Sequence, residues 1–247
     1  MELLKVTRAN GVLHVGIDRP AKRNAIDLAM ADELHQVLTD ASRAEPAVLI
    51  LASTTPGMFV SGADIAELRE RRADEALQNI NAGVFERLAA YRWPSIAVVD
   101  GPALGGGCEM AMACDFRIGS PNSTFAQPEP SLGILAGAGG NWRLTQLVGL
   151  AQARRMLFTG AALDADAALH AGLLDAVHPA NQLSDAALAL AATIAKRSWR
   201  SLELTKLALR LHQPATTAFD MAAQALLFES QDKLDRMDAF LNRRKHT

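Results

Sequence analysis

Apolar residues along this chain recur in two alternating rhythms. Val12–Ile17 and residues 47–52 are short β-branched or aliphatic runs bounded by Gly, Pro and polar residues, the pattern of strands. Between them Leu28, Ala31, Leu34, Leu38 and Ala41 recur at intervals of three and four, which predicts an amphipathic helix over residues 27–41 with Asp27 as its N-cap. The order then repeats: a helix over 73–90, a strand over Ser95–Val99 entered through Trp93-Pro94, a glycine turn, and a helix over 106–113. Strands alternating with helices predict an α/β core. From about Leu183 the pattern changes to Ala/Leu-rich helical stretches over 186–196, 202–211 and 218–227, with a break at Pro214 and an amphipathic, basic last helix over 233–245. The chain thus divides into an α/β region, residues 1–182, and a helical region, residues 183–247.

Composition narrows the classes of function. With 49% hydrophobic and 21% charged residues in a chain of 247, one substantial core can be buried. Lys+Arg 25 against Asp+Glu 27 gives a formal charge of -2, so no global field favours nucleic acid or an anionic membrane. No run approaches the roughly 18 consecutive apolar residues of a membrane span, and residues 1–15 lack the apolar stretch of a secretory signal. A cytoplasmic protein is expected. Cys108 and Cys114 have no partners at metal-ligand spacing and read as buried thiols; the six histidines are scattered without ligand spacing, so no metal site is expected.

Three glycine-rich segments invite a phosphate-loop interpretation: Ser61-Gly62-Ala63-Asp64, Gly105-Gly106-Gly107 and Gly137-Ala138-Gly139-Gly140. The dinucleotide fingerprint fails because Cys108, Glu109 and Met110 stand where its third glycine belongs, and no glycine cluster is followed by Lys-Ser or Lys-Thr. What remains is that small residues let backbone approach a ligand and aim N–H groups at it. Taken singly, each cluster is more often only a tight turn.

Taken together, the segments carry more. Arg19-Pro20 with Asn24-Ala25, Ser61-Gly62-Ala63-Asp64-Ile65, Asp100-Gly101-Pro102-Ala103-Leu104-Gly105-Gly106-Gly107-Cys108-Glu109, Gln127-Pro128-Glu129 with Leu132-Gly133, and Gly137-Ala138-Gly139-Gly140 closely resemble, in order and spacing, the successive motifs of the enoyl-CoA hydratase/isomerase (crotonase) family. The tail 228–245 also resembles that family's closing helix. The resemblance implies a crotonase-like spiral of ββα units followed by a C-terminal helical trimerisation region, and a homotrimer or dimer of trimers. It implies an acyl-CoA thioester substrate, with coenzyme A as part of that substrate and no separate cofactor.

The resemblance also places chemistry on residues. An oxyanion hole maps to the backbone N–H groups of Ala63 and Gly106, where donors worth roughly 2.7–4 kcal/mol each would stabilise a thioester enolate. Glu109 and Glu129 match the two catalytic carboxylates of hydratases. Glu129 is assigned as proton donor to the α-carbon and Glu109 as activator of water, although the residues alone allow the reverse division. An arbitrary glutamate is usually a solvated surface charge, but Glu109 is flanked by Cys108 and Met110 in an apolar, Gly/Ala-rich helix. Ala63, Asp64, Ile65 and Ala66 match the stretch that lines thioester and adenine, with N-capping as the alternative role for Asp64. Lys22, Arg23 and Arg243 stand where relatives meet phosphates or ribose; solvated surface charge is the competing interpretation. The basic run Arg69–Arg72, interleaved with Glu67, Glu70 and Asp74, is expected to be a solvated helix face, or else a loop near the acyl pocket.

This chain departs from the common family pattern at Pro130, Ala136, Asn141 and Trp142. Pro130 is expected to hold Glu129 extended. The competing functions are an isomerase that uses Glu129 alone and a non-catalytic acyl-CoA-binding protein. A pure binder has no need of two buried, mutually repelling acids.

Overall fold

The structure, a computed structural model, describes residues 1–210 and 217–243. Strands β1 (Leu4–Ala9) and β2 (Val12–Ile17) pair antiparallel across Asn10-Gly11, whose φ angles of 50° and 74° supply the twist that a two-residue hairpin requires. Strands β3 (Val48–Ser53), β4 (Ser95–Val99), β5 (Pro102–Leu104), β6 (Phe116–Gly119), β7 (Thr124–Ala126), β8 (Leu163–Asp164) and β9 (Ala176–Val177) follow. The helices are α1 (Leu28–Arg43), α2 (Ile65–Glu70), α3 (Ala73–Leu77), α4 (Ile80–Ala89), α5 (Gly106–Met112), α6 (Thr145–Thr159), α7 (Ala165–His170), α8 (Leu183–Ala195), α9 (Trp199–Arg210), α10 (Thr217–Phe228) and α11 (Gln231–Arg243).

A large sheet has the order β1-β2-β3-β4-β6-β9, parallel from β2 onward, and a small one the order β5-β7-β8. Successive residues of β3 and β4 point to opposite faces. Leu49, Leu51, Ala97 and Val99 pack on Met30, Leu34 and Leu38 of α1 and Phe85 of α4. Val48, Ile50, Ile96 and Val98 pack on Leu183, Ala187, Ala191 and Ile194 of α8. Burial on both faces explains why these two strands carry continuous aliphatic runs, each buried Val, Leu or Ile side chain contributing about 1.5–3 kcal/mol.

The path is a spiral of strand, strand and helix. From β2 the chain crosses to a bridge at Ile26 and enters α1; from β3 it crosses to a bridge at Val60 and enters α2; β4 leads to β5 and α5, and β6 to β7 and α6. The ββα spiral and the helical C-terminal region expected from the resemblance are both present. Asp27 caps α1, its side chain accepting from Met30 N.

One helical expectation is corrected. Residues 73–90 form two helices, because Asn79 takes a left-handed conformation (φ 58°), which asparagine tolerates better than most residues. The predicted break at Pro214 lies outside the described residues. Among the described residues no helix is long and apolar enough to cross a membrane.

Candidate active site

The spiral brings the ends of its second-sheet segments together beside α5. There a cleft enclosing about 110 Å³ opens between residues 61–65, the α3–α4 break, the loop 128–138 and α10. Its polar groups come from three strips of backbone that the sequence separates by tens of residues.

The first is residues 62–64. Ile26 N donates to Gly62 O and Asp64 N to Ile26 O, both at 2.8 Å, so the bridge consumes the groups on either side of Ala63. Alternation along an extended segment turns the N–H of Ala63 itself the other way, and Ala63 lines the cleft. Gly106, the first residue of α5, faces it: a Cβ built on Gly106 would lie 3.6 Å from Ala63 N. Being at the start of its helix, Gly106 has an N–H with no intrahelical acceptor.

Glu109 is carried one turn further along α5 and is only 3% exposed. Its Oε1 accepts from Ala138 N at 2.7 Å and Gly140 N at 2.8 Å. The glycine-rich loop therefore acts as a clamp on a carboxylate.

Glu129 opens the 3-10 turn Glu129–Leu132 and is also buried. Burial, then the charge of Glu109, pushes its carboxyl up to about 8, against a smaller opposing backbone hydrogen bond. In the orientation that satisfies its neighbours, the fully buried Gln127 amide donates to Glu129 Oε2 at 3.1 Å and Oε1 at 3.3 Å. Gly105 must lack a side chain here: its φ is +50° and a Cβ would stand 2.6 Å from Glu129 Oε1. Pro130 does not hold Glu129 extended, as the sequence suggested. The turn is fixed by Ser131 N to Pro128 O, Gly133 N to Pro130 O and Ile134 N to Glu129 O, at 3.0, 3.2 and 3.2 Å, and these bonds override the preference of a residue preceding proline.

The remaining site residues separate into those at the cleft and those beside it. Ile65 lines the cleft and Ala66 is exposed outside it. Asp64 is turned away to cap α2 at Ala66 N (3.1 Å) and to pair with Arg19 Nη1 (3.2 Å). Lys22 and Arg23 are exposed at the rim, where Arg23 O accepts from Ser61 N at 3.2 Å. The side chain of Arg243 lies outside the described residues. The basic run is not one solvated face: α2 ends at Glu70, and Arg71 is 8% exposed, paired with Glu67 and set in the cleft wall. Cys108 and Cys114 are buried as expected, and burial pushes the Cys114 thiol up to about 12.

Other lining residues carried no local signal. Met221, Gln224 and Phe228 reach the cleft from α10, and buried Lys233 of α11 ties that wall to Arg69 O (2.9 Å) and Arg71 O (2.7 Å). Glu86 and Arg143, behind the Glu109 clamp, were equally silent; the glycine-rich loop preceding Arg143 was the only local hint.

Known proteins are similar to this chain in sequence and in fold. The family described as enoyl-CoA hydratase/isomerase matches residues 7–247. A short-chain-enoyl-CoA hydratase of Clostridium acetobutylicum is 37% identical over 94% of this chain and 91% of its own length. A 2,3-dehydroadipyl-CoA hydratase of Escherichia coli is 34% identical over 99% of this chain and 97% of its own. The crystal structure of an enoyl-CoA hydratase from Bacillus anthracis superposes with a TM-score of 0.81 at 29% identity, covering 98% of this chain and 96% of that one. With the crotonase fold and a family match spanning nearly the whole sequence, the chain belongs to the enoyl-CoA hydratase/isomerase family of enzymes.

Proposed function

We propose that the protein hydrates a trans-2-enoyl-CoA to the 3-hydroxyacyl-CoA. The observation that carries this reading is two buried carboxylates on one cleft, Glu109 held by two N–H donors and Glu129 retaining its proton near neutral pH. Glu109 takes a proton from water as the water oxygen bonds to the β-carbon. The double-bond electrons move onto the thioester, whose oxygen accepts from Ala63 N–H and Gly106 N–H. Glu129 then gives its proton to the α-carbon, and proton exchange with solvent returns Glu109 to its carboxylate and Glu129 to its acid. Coenzyme A enters as part of the substrate, and the steps call on no further cofactor.

Lys22 and Arg23, exposed at the rim, supply charge for the coenzyme A phosphates in this reading. The named hydratases among the relatives support hydration over a double-bond shift, as does the clamp on Glu109, for which an isomerase using Glu129 alone has no role. A homotrimer or dimer of trimers is part of the same proposal. Its support is the apolar surface left on α9 and α10, where Leu209 is 71% and Leu226 79% exposed.

The test is a turnover screen over short, medium and long enoyl-CoA thioesters, with mass detection of added water. Water addition to at least one substrate is expected, strongly reduced in Glu109→Gln. Double-bond migration without water addition, with Glu109→Gln near parental rate, would transfer the assignment to the isomerase.

A further inference from the structure

We propose that Arg143 is a positioning residue for Glu109: lodged between Glu86 and the Trp142 ring, its guanidinium fixes the 138–140 loop whose two N–H groups clamp the carboxylate. The inference rests on the hydratase role given to Glu109 above.

Arg143 is 3% exposed and sits in the π-helical turn Gly140–Leu144. Its Nη1 donates to Ala138 O at 3.1 Å, its Nη2 to Glu86 Oε1 of α4 at 2.6 Å, and its Cζ lies 4.2 Å from the Trp142 ring centroid. The backbone N–H of Arg143 also donates to Gly139 O at 2.9 Å. These contacts grip the clamp from behind. Ala138, held by its carbonyl, is the residue whose N–H reaches Glu109. Gly139 O shares a peptide with the Gly140 N–H, so donation to that oxygen polarises the second donor as well.

The side chain must be arginine for this geometry, since one planar fork spans Glu86 and Ala138 O while its face meets an indole. Trp142, which departs from the common family pattern, is the residue that closes that sandwich. The charged and titratable groups that interact with Arg143 are Glu86 from α4, Arg210 from α9 at 3.9 Å from Glu86 Oε2, and Glu109 from α5; Glu129 from its turn and Cys108 interact with Glu109, and Arg117 of β6 interacts with Cys108. Burial draws the Arg143 pKa down while Glu86 and Glu109 oppose that shift, so guanidinium and Glu109 act on each other through charge as well as through the loop. A fixed anion at Glu109 in turn favours the proton on Glu129.

Arg143→Gln removes charge and fork; Arg143→Lys keeps the charge. With trans-2-butenoyl-CoA, Arg143→Gln is expected to lose about 100-fold or more in kcat, as for a misplaced catalytic group, with KM within about threefold. The acid limb of its pH profile, where Glu109 takes up a proton, should move up by about half a pH unit or more, because the lost cation and the loosened N–H donors both disfavour the carboxylate, and Arg143→Lys should recover part of both effects. A folded Arg143→Gln with parental kcat, or with an unmoved acid limb, overturns the inference. Should Arg143→Gln fail to fold, Arg143→Lys, which keeps the charge but cannot span Glu86 and Ala138 O with one fork, must shift the acid limb in the same direction by a smaller amount; an unmoved limb there overturns it equally. A readout without turnover separates this inference from the hydratase assignment. The pH-dependent stability that the Glu109 carboxylate contributes, isolated by adding Glu109→Gln to parent and to Arg143→Gln, should set in at a higher pH in the Arg143→Gln background. If that edge moves while the parent adds water to no enoyl-CoA, the hydratase assignment fails and the clamp stands.

Discussion

At the scale of single residues the site turns on where one proton rests. Glu129 holds its proton in the fold up to about pH 8, whereas the unfolded chain releases it near its ordinary value of 4.5. Between those values the folded state binds more protons than the unfolded one, so stability falls as pH rises through the window, by at most about 1.4 kcal/mol per pH unit. Glu129→Gln cannot ionise. Its melting temperature should therefore exceed the parent's by a margin that grows with pH across the window and levels off above about 8; parallel melting curves across that range would contradict the assigned proton. Gly106 offers a second test, of backbone in place of side chain. The Cβ of a Gly106→Val variant meets Ala63 N and Ile26 Cδ1 at 3.6 Å, ordinary contact, so the variant should fold. Its methyl groups would cover the space between the two N–H donors, and kcat/KM should fall by roughly 100-fold or more. Parental hydration by a folded variant would place the thioester oxygen elsewhere.

At the scale of elements, the cleft wall depends on how two helices begin. Arg19 reaches Asp27 Oδ2 at 2.7 Å and Asp64 Oδ2 at 3.2 Å, tying together the N-caps of α1 and α2. Asp64 also accepts from Ala66 N. Asp64→Ala removes a cap and one arm of this link, which should cost about 1–2 kcal/mol and lower Tm by roughly 2–8 °C. Because Ala63 and Ile65 lie on either side of that cap, KM for the acyl-CoA should rise in the same variant. Calorimetry and steady-state kinetics check the two effects, and an unchanged Tm would mean the cap contributes nothing to this wall.

At the scale of the whole molecule, α9 leaves Leu204, Leu207 and Leu209 exposed, and α10 leaves Leu226. Surface of this kind is usually closed by symmetry in homo-oligomers. Sedimentation at micromolar concentration should give a trimer or a multiple of it. A monomer at that concentration would refute the proposed assembly, while leaving the chemistry of one cleft untouched.

The amino-acid sequence by itself determined the elements whose burial follows local periodicity. The α1 stripe, the aliphatic runs of β3 and β4, and the Asp27 cap are set by neighbours within a few residues, and Glu109 betrayed its burial through the apolar helix around it. β1 escaped because only Leu4 of its six residues is buried, which leaves no alternation to read. The family motifs located Glu129 but not the state of its proton, which depends on depth and on a second carboxylate twenty positions earlier in the chain. Only the tertiary structure decided the partners. Arg143 meets Glu86 across 57 residues and Lys233 meets Arg71 across 162, and α10 closes a cleft whose floor is built before residue 140. The physical reason is that periodicity records whether a side chain is buried, and burial alone does not say against what. That choice is made when the spiral stacks its turns and charges distant in sequence come to share one desolvated space.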